Sequence, residues 1–236
     1  EIKKEAFMNT GVTEIILPEA LTTIGESAFA SNAGLTTLTI PGRVAHIGQN
    51  AFAKCANLTS VTFEPSNTDA QMTIGKGAFQ ESGLTSLSIP NRVAVIEQEA
   101  FADCESLTKM TFEASNTPLK IGSLNASVDG DHPFYDSNNI KTVTLNRELV
   151  KAHNNVPMDL FENNTTLTYV ALGEQVKTIH GEMFNNTGIT RLSIPGTVTR
   201  IEQNAFANCE NLTVVDFLPS KTKTPLTIDS PNKTYL

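Results

Sequence analysis

Residues 24–41 read IGESAFASNAGLTTLTIP, and both halves of this stretch recur along the chain. The first half, which begins with Ile and ends with Ala-Phe, returns at residues 47–52, 74–79, 96–101 and 201–206. Self-similarity at a short period is typical of a solenoid built from stacked units. The sequence therefore predicts about nine such units, one for each equivalent phenylalanine: Phe7, Phe29, Phe52, Phe79, Phe101, Phe134, Phe161, Phe184 and Phe206.

A second block with the pattern L-x-x-L-x-L follows each phenylalanine after a few residues. In the copy at residues 35–40 apolar and polar residues alternate at the end, and Thr, Val and Ile are abundant over the copies taken together. This pattern is typical of a short strand with its apolar side chains on one side. A further apolar pair, such as Val44 with Ile47, predicts a second extended segment. One unit cannot close a core alone, so we expect adjacent copies to pair in parallel and to bury a shared apolar column.

Polar insertions interrupt this rhythm at residues 65–69, 123–131 and 152–155, and their composition predicts surface loops. The repeat resumes after each insertion, which predicts one domain spanning residues 1–236. The chain opens in the middle of a unit, and residues 225–228 resemble the start of another. We therefore expect the domain to be truncated within a repeat at its N-terminus and also at its C-terminus.

Taken together, the pattern I-G-x-x-A-F-x-x-C-x-x-L-T-x-V-x-I-P resembles the repeat of the BspA-like leucine-rich-repeat family of microbial surface proteins. The match is most specific over residues 24–112 and 179–217. The Ala before Phe is replaced by Pro133, Leu160 and Met183 in three units. The resemblance implies a cell-surface or secreted protein that binds other proteins, in some relatives host extracellular matrix or other bacteria. It carries over no catalytic residue and no cofactor.

The expected fold is an α/β leucine-rich-repeat solenoid, mainly parallel β with short helical turns. About nine repeats of 22–23 residues with insertions are expected.

Charge and hydropathy narrow the range of partners. The formal net charge is -8 and spreads over the chain without a long run of one sign. Nucleic acids and anionic membrane surfaces attract clustered Lys and Arg, so neither is expected as a partner. No stretch approaches the roughly 18 apolar residues of a membrane helix, so the chain is not expected to span a membrane. A protein or glycan ligand remains the expected partner, with host extracellular matrix or other cells as candidate sources.

The three cysteines share one position in the repeat. Cys55, Cys104 and Cys209 each lie three residues after a Phe, where other units carry Thr, Asn or Ser. Cys55 and Cys104 are two units apart, hence roughly 9 to 10 Å by strand spacing. A disulfide permits a Cα separation of about 7 Å at most, so we expect free, buried thiols. A metal site or a nucleophile would need convergent ligands, which one repeated position does not supply.

No motif in the sequence indicates catalysis. The four histidines lie in different units without the spacing of a catalytic triad or a zinc protease, and we expect them at the surface. The stretch Asp129-Gly130-Asp131-His132 offers oxygen ligands for calcium but lacks the full D-x-D-x-D-G loop, so a solvated loop is the simpler interpretation. The chain is therefore expected not to be an enzyme.

If the Leu positions of each strand face inward, the residues between them line one continuous exposed face. Thr and Ser dominate its N-terminal half, which strand propensity explains as well as binding does. In the C-terminal half Tyr169 and Arg191 are expected on adjacent strands with Asp216 one strand further. Tyr and Arg are enriched in binding hot spots. The candidate binding face consists of Lys109, Thr142, Tyr169, Arg191 and Asp216.

Three functions fit this pattern. The first is a non-catalytic recognition scaffold for protein-protein or adhesion-type binding at a microbial surface. The second is a spacer or stalk that presents another module, and a third is a carbohydrate-binding module. Binding that depends on Tyr169 or Arg191 would separate the first from the second.

Overall fold

The computed structural model describes residues 1–66, 68, 70–122, 132–153 and 158–229. These residues form a parallel-β solenoid of about eight turns. In chain order the strands are β1 (Thr23–Ile24), β2 (Thr37–Ile40), β3 (His46–Ile47), β4 (Ser60–Phe63), β5 (Met72–Ile74), β6 (Ser86–Ile89), β7 (Val93–Ile96), β8 (Lys109–Ile121), β9 (Thr142–Lys151), β10 (Tyr169–Leu172), β11 (Thr178–Ile179), β12 (Arg191–Ile194), β13 (Arg200–Ile201), β14 (Val214–Phe217) and β15 (Thr227–Ile228).

The L-x-L segment of each turn forms one side of the solenoid, here called the front. Its strands are β2, β4, β6, β10, β12, β14 and the first parts of β8 and β9. The second extended segment forms the opposite side, the back, from β1, β3, β5, β7, β11, β13, β15 and the last parts of β8 and β9. Every pairing is parallel, as the repeat predicts, and Thr37 lies opposite Ser60 just as Lys109 lies opposite Thr142.

Inside the solenoid the anchor phenylalanines form one column, as expected. All nine rings stack on their neighbours, with centroids 5.2–6.1 Å apart and interplanar angles of 2–13°. The Leu and Ile positions of the front strands also point inward, and Leu38 and Ile40 are both buried. Each unit therefore supplies one layer of a core that only stacking can close.

The prediction of short helical turns around each phenylalanine is wrong, because the described residues form no helix there. Residues two before and two after the anchor have positive φ, as at Ser27 (52°) and Ser31 (61°). The backbone N–H of Phe29 donates to the carbonyl of Ala51 in the next unit at 2.8 Å. A helix would direct that N–H to the residue four positions earlier. Because alternate N–H groups bond the next unit, these turns extend the stack.

The first of the nine predicted units is incomplete. Phe7 stacks on Phe29 and belongs to the column, but residues 11–18 form no strand. Ile16, which lies in this segment, is 87% exposed. This accounts for nine phenylalanines in about eight turns. Asn67, Asp69 and residues 123–131 and 154–157 lie outside the described residues, so the predicted loops and the calcium ligands Asp129 and Asp131 stay predictions.

Two arginines, the buried Arg147 and the half-buried Arg92, hold turns of different units together. Arg147 is fully buried and donates to the carbonyls of Thr117 (2.8 Å), Val93 (2.9 Å) and Pro90 (3.3 Å). Arg92 makes equivalent bonds to turn carbonyls two units earlier. Burial lowers the pKa of Arg147 to about 10, and the charge of Glu113 acts in the opposite direction. Both guanidinium groups stabilise carbonyls that strand pairing leaves free.

The cysteines are free, as expected. Cys55 and Cys104 are buried, and Cys209 is only half-buried, which corrects the prediction for that residue. Burial raises the pKa of the Cys55 thiol, and it raises that of Cys104 to about 11. The Cys104 sulfur lies 3.4 Å from the Phe79 carbonyl oxygen. Residues at this position therefore cap the carbonyl of an anchor phenylalanine.

His180 is buried, so the expectation that all four histidines lie at the surface is wrong for this residue. Its Nε2 atom lies 2.8 Å from the Leu149 carbonyl oxygen, and its Nδ1 atom lies 3.2 Å from Oε2 of Glu202. The carboxylate of Glu148 accepts hydrogen bonds from the backbone N–H groups of Lys177 and Thr178. On the back of the solenoid β9 and β11 do not pair as strands. The hydrogen bonds of Glu148 and His180 connect these two segments instead.

Candidate functional site

The predicted binding residues lie on the front of the solenoid. Lys109, Thr142 and Tyr169 occupy one row across β8, β9 and β10, because each is the register partner of the next. Tyr169 is 58% exposed. Arg191 begins β12, and its Nη2 donates to Oδ2 of Asp216 on β14 at 2.5 Å. Both side chains of this ion pair are solvent-exposed.

The front is not the continuous sheet that the sequence predicts. β2 pairs with β4, and β12 pairs with β14, while β6 belongs with β8, β9 and β10. Three interruptions result: before β2, between β4 and β6, and between β10 and β12. The row of exposed residues is therefore divided into blocks, and Tyr169 and Arg191 face each other across one of the divisions.

A proline follows the first strand after each interruption. In paired units the residue after the front strand donates its N–H to the preceding strand, as Leu218 does to Ile194 and Gly173 does to Leu145. The strands that fail to pair with their predecessor are β2, β6 and β12. Each is followed by a residue that has no N–H to donate. These residues are Pro41, Pro90 and Pro195.

The divisions between β4 and β6 and between β10 and β12 differ in their first backbone contact. Between β4 and β6 the first contact survives, because the N–H and the hydroxyl of Thr85 both approach the Thr59 carbonyl, at 3.2 and 3.4 Å. The threonine that precedes β14 makes the same hydroxyl bond, from Thr213 to the carbonyl of Thr190. Among the described residues, neither the N–H nor the hydroxyl of Thr190 bonds the carbonyl of Thr168. The backbone edges of β10 and β12 are therefore left facing a cleft.

This β10–β12 cleft has a volume of 310 Å³. Its lining combines polar side chains with two exposed apolar groups, the Tyr169 ring and the Leu218 side chain. The volume is at the lower end of the roughly 300–1,000 Å³ of small-ligand sites. The lining residues are Thr168, Tyr169, Val170, Ala171, Leu172, Thr190, Arg191, Ser193 and Leu218.

The described residues offer little else of chemical note. Within those ranges no group of three or more His, Cys, Asp or Glu side chains is placed to hold a metal ion. No helix that could cross a membrane occurs in the same part of the chain. The arrangement at the cleft suits recognition, because it joins an aromatic side chain, an ion pair and unpaired backbone groups.

A family model for the BspA type leucine rich repeat region matches six copies, over residues 1–124 and 72–213. These matches cover most of the chain. The chain belongs to the BspA-type leucine-rich-repeat family. No curated protein matches the sequence.

Solved structures place this BspA-type chain beside other bacterial leucine-rich-repeat proteins. One from Bacteroides ovatus is 21% identical with a TM-score of 0.60, and the match covers 99% of this chain and 67% of that chain. A leucine rich cell surface protein from Faecalibacterium prausnitzii is 20% identical over 93% of this chain and 77% of its own, with a TM-score of 0.40. The pneumococcal vaccine antigen PcpA is 18% identical, with a TM-score of 0.44, and the match covers 97% of this chain and 62% of that chain. At 21% identity the likeness to the Bacteroides ovatus structure establishes the fold alone.

Proposed function

We propose that this BspA-type chain is a non-catalytic recognition scaffold that binds a protein partner through its front. The observation that carries the proposal is the exposed Tyr169 beside the Arg191–Asp216 ion pair at the rim of an open cleft. Tyr and Arg are enriched in binding hot spots, and such residues act best where pockets surround them. Lys109 and Thr142 continue the same row and would widen the contact.

The solenoid suits this role because it holds the site rigidly. The front strands on both sides of the cleft stand on the same phenylalanine column, which runs without a break from Phe134 through Phe161 to Phe184. A site whose side chains are fixed before binding loses less conformational entropy when the partner arrives. The Arg191–Asp216 bond adds to this by restraining a long side chain.

We place the chain at the cell surface or in secreted form. The support is the family itself together with the printed descriptions of two structural relatives, a cell surface protein and a vaccine antigen. Partners in this setting would be proteins of the host matrix or of other cells. Glycans are the less favoured ligands, because the β10–β12 cleft offers a single aromatic ring for stacking on a sugar.

A structural spacer is the second candidate, and one observation favours it. From β2 to β6 the outward positions carry only small hydroxyl side chains, which offer neither aromatic anchors nor charge: Thr37, Thr39, Ser60, Thr62, Ser86 and Ser88. A solenoid whose sole task is to hold another module away from the cell would look the same on this stretch.

The test is binding to an immobilised array of extracellular-matrix proteins, mucins and glycans. The Tyr169→Ala, Arg191→Ala double variant removes the proposed anchors, and the Thr37→Ala, Thr39→Ala variant changes equivalent outward positions on β2. A hit that the first variant loses and the second keeps supports recognition at this site. A hit that survives both variants moves the site elsewhere. Silence across the array favours the spacer.

A further inference from the structure

We infer that the solenoid has a pH-sensitive joint between the Phe161 unit and the Phe184 unit. The side chains of Glu148, His180 and Glu202 hold this joint closed from the back, and acidification opens it. The inference goes beyond the proposed function, because it concerns how two parts of the solenoid are held together and not what the front binds.

Both sheets are interrupted at this boundary. β10 and β12 do not pair on the front, and β9 and β11 do not pair on the back, so no strand of β1–β10 pairs with a strand of β11–β15. Where the front is interrupted between β4 and β6, the back strands β3 and β5 still pair. The described chain therefore consists of two blocks of strands, called here the first block (β1–β10) and the second block (β11–β15).

The backbone bond that normally joins successive back strands is also missing here. In other units the residue after the back strand donates its N–H to the preceding unit, as Glu202 does to Ile179 at 2.9 Å. His180 occupies this position at the boundary, and among the described residues no carbonyl accepts its N–H. Side chains therefore make the contacts between the blocks on the back.

Contacts at the two turn sides of the solenoid connect the blocks and define a hinge line. On one side Phe161 N–H donates to the Met183 carbonyl at 3.1 Å, and the Phe161 ring stacks on Phe184. On the opposite side the chain itself passes from β10 to β11, and the Thr197 hydroxyl donates to the Val176 carbonyl at 3.3 Å. Rotation about this line moves the back edges of the blocks apart and keeps both turn contacts.

Glu148 replaces backbone pairing on the back with a charged acceptor. Its Oε2 atom accepts hydrogen bonds from the backbone N–H groups of Lys177 (2.5 Å) and Thr178 (3.2 Å), where the second block begins. Hydrogen bonds to an ionised acceptor are stronger than those between neutral groups. Protonation of this carboxyl removes the charge and weakens both bonds.

His180 makes the second contact across the boundary. Its Nε2 atom lies 2.8 Å from the Leu149 carbonyl oxygen of the first block, and its Nδ1 atom lies 3.2 Å from Oε2 of Glu202. The carbonyl and the carboxylate are both acceptors, and a ring that donates to both carries a positive charge. The ionised Glu202 is therefore a positioning residue that directs the ring towards Leu149.

The direction of the pH effect follows from Glu202. Burial alone raises the pKa of this carboxyl, but the hydrogen bond from the Gly181 N–H and the charge of His180 outweigh it, so the pKa is lowered from 4.5. Such a carboxyl stabilises the closed form above its ordinary value, and the contribution is lost as the pH falls through the lowered value. The joint is therefore closed at neutral pH and opens below about pH 4.

Other charged groups on the surrounding elements contribute less. Arg200 approaches Glu202 at 4.0 Å and is bonded to Asp229 within the second block. Lys221 pairs with Glu174 between the blocks, but both side chains are exposed, and such pairs add little stability. The others, which form no ion pair with the carboxylates of the joint among the described residues, are Lys120, Lys151, His153, Lys177 and Glu182.

The joint divides the candidate binding face. Lys109, Thr142 and Tyr169 belong to the first block, whereas Arg191 and Asp216 belong to the second. Rotation of the second block changes the separation of Tyr169 and Arg191, while the Arg191–Asp216 pair moves as one piece. A partner that contacts both blocks would favour the closed form, because a ligand shifts an equilibrium towards the state that it binds better.

The test measures distances between spin labels on the row of back residues that the strand register aligns. One pair, Lys120→Cys with Thr227→Cys, crosses the joint, and the control pair, Lys120→Cys with Thr23→Cys, stays within the first block. Each pair spans four strand spacings, or about 19 Å. Cys209→Thr removes the half-buried thiol, since Thr187 occupies the same repeat position.

At neutral pH both distances should be narrowly distributed. At about pH 3.5 the distance across the joint should broaden and lengthen by about 5 Å or more, one strand spacing, while the control distance stays unchanged. Glu148→Ala should broaden it already at neutral pH, and Glu148→Gln, which keeps an acceptor oxygen, should have a smaller effect. Glu97→Ala is the matched control, because Glu97 accepts the Lys76 N–H between the paired strands β5 and β7, and it should change neither distance.

Three results would overturn the inference. An unchanged distance across the joint, on acidification and in Glu148→Ala, would show that this boundary is held as firmly as the paired ones. Equal broadening of both distances would show general unfolding. Lost amide protection of Thr227 and Asp229, which bond Thr199 and Ile201, would assign the change to fraying of β15. None of these measurements uses a ligand, so failure to find a binding partner counts against the proposed function alone.

Discussion

Pro195 follows β12 at the position from which other units donate a backbone hydrogen bond, and the acceptor it leaves without that bond is the carbonyl of Leu172. Pro41 and Pro90 occupy the equivalent position after β2 and β6, the two other front strands that do not pair with their predecessor. Proline thus occupies this position in each described unit whose front strand does not pair with its predecessor. This rule can be tested away from the proposed binding site.

Pro90→Ala is expected to join β4 to β6. The new hydrogen bond contributes about 1 kcal/mol, and the loss of proline costs roughly 0.4–1 kcal/mol through the unfolded chain, so overall stability should change little. Amide exchange is the informative measurement, because the N–H groups of Ser86 and Ser88 should become protected. Unchanged exchange at both residues, with the fold intact, would contradict the role given to the prolines.

Arg147→Met is expected to destabilise the chain by about 3 kcal/mol or more. The substitution removes the side-chain donors from the buried carbonyl of Val93 and from the part-buried carbonyls of Thr117 and Pro90, and the loss of a buried partner costs about 1–3 kcal/mol. Urea unfolding measures the change. Arg43→Met is the control, because Arg43 lies on an equivalent turn but is exposed, and it should shift stability by less than about 0.5 kcal/mol. Equal effects of the two variants would rule out a structural role for the buried guanidinium.

Stability should depend on the ionisation of Glu202. Burial alone raises the pKa of this carboxyl, but the hydrogen bond from the Gly181 N–H and the charge of His180 outweigh it, so the pKa is lowered from 4.5. A carboxyl with a lowered pKa stabilises the fold above its unfolded value, and the contribution is lost as the pH falls through the folded value. Glu202→Gln should therefore destabilise the chain at about pH 7 and have a smaller effect at about pH 3.

The control for this variant is Glu210→Gln, since Glu210 is exposed. Unfolding midpoints in urea at both pH values measure the difference. A destabilisation by Glu202→Gln that is the same at both pH values would contradict the assigned interaction, because it would not follow the charge of the carboxylate.

The thiols should differ in reactivity. Cys104 is buried and its pKa is raised to about 11, so its thiolate is scarce at neutral pH and the native protein should protect it from a disulfide reagent. Cys209 is half-buried and should react first. In the unfolded, unreduced chain all three thiols should titrate. Fewer than three would indicate a disulfide, and rapid labelling of Cys104 in the native state would contradict its burial.

Much of the fold could be predicted because the pattern repeats. Phe29 and its equivalents could be placed in one column, and the inward direction of Leu38 and Ile40 follows from alternation alone. The turns around the phenylalanines could not, because their hydrogen bonds run to the next unit, and positive φ at residues such as Ser31 is not visible in composition. The burial of His180 depends on contacts with Leu149 and Glu202, which are distant in sequence.

The candidate site was predicted in part. Arg191 and Asp216 could be matched by counting positions in neighbouring strands, and the structure joins them. The interruption beside Tyr169 was missed although its signal is in the sequence. Pro195 follows an otherwise regular strand pattern, and the missing N–H of proline is enough to predict an unpaired edge. How far the strands then separate depends on packing, as the partly joined β4 and β6 show.

The central claim is that the surface around Tyr169 and Arg191 recognises a protein. Its most direct measurement is the dissociation constant of an array-identified protein partner for the wild type, for Tyr169→Ala and Arg191→Ala singly and together, and for Thr37→Ala, Thr39→Ala. We predict that each anchor variant weakens binding by about tenfold, that the double variant weakens it further, and that the β2 variant changes nothing. Equal affinity across all of these proteins would contradict the claim and place recognition elsewhere.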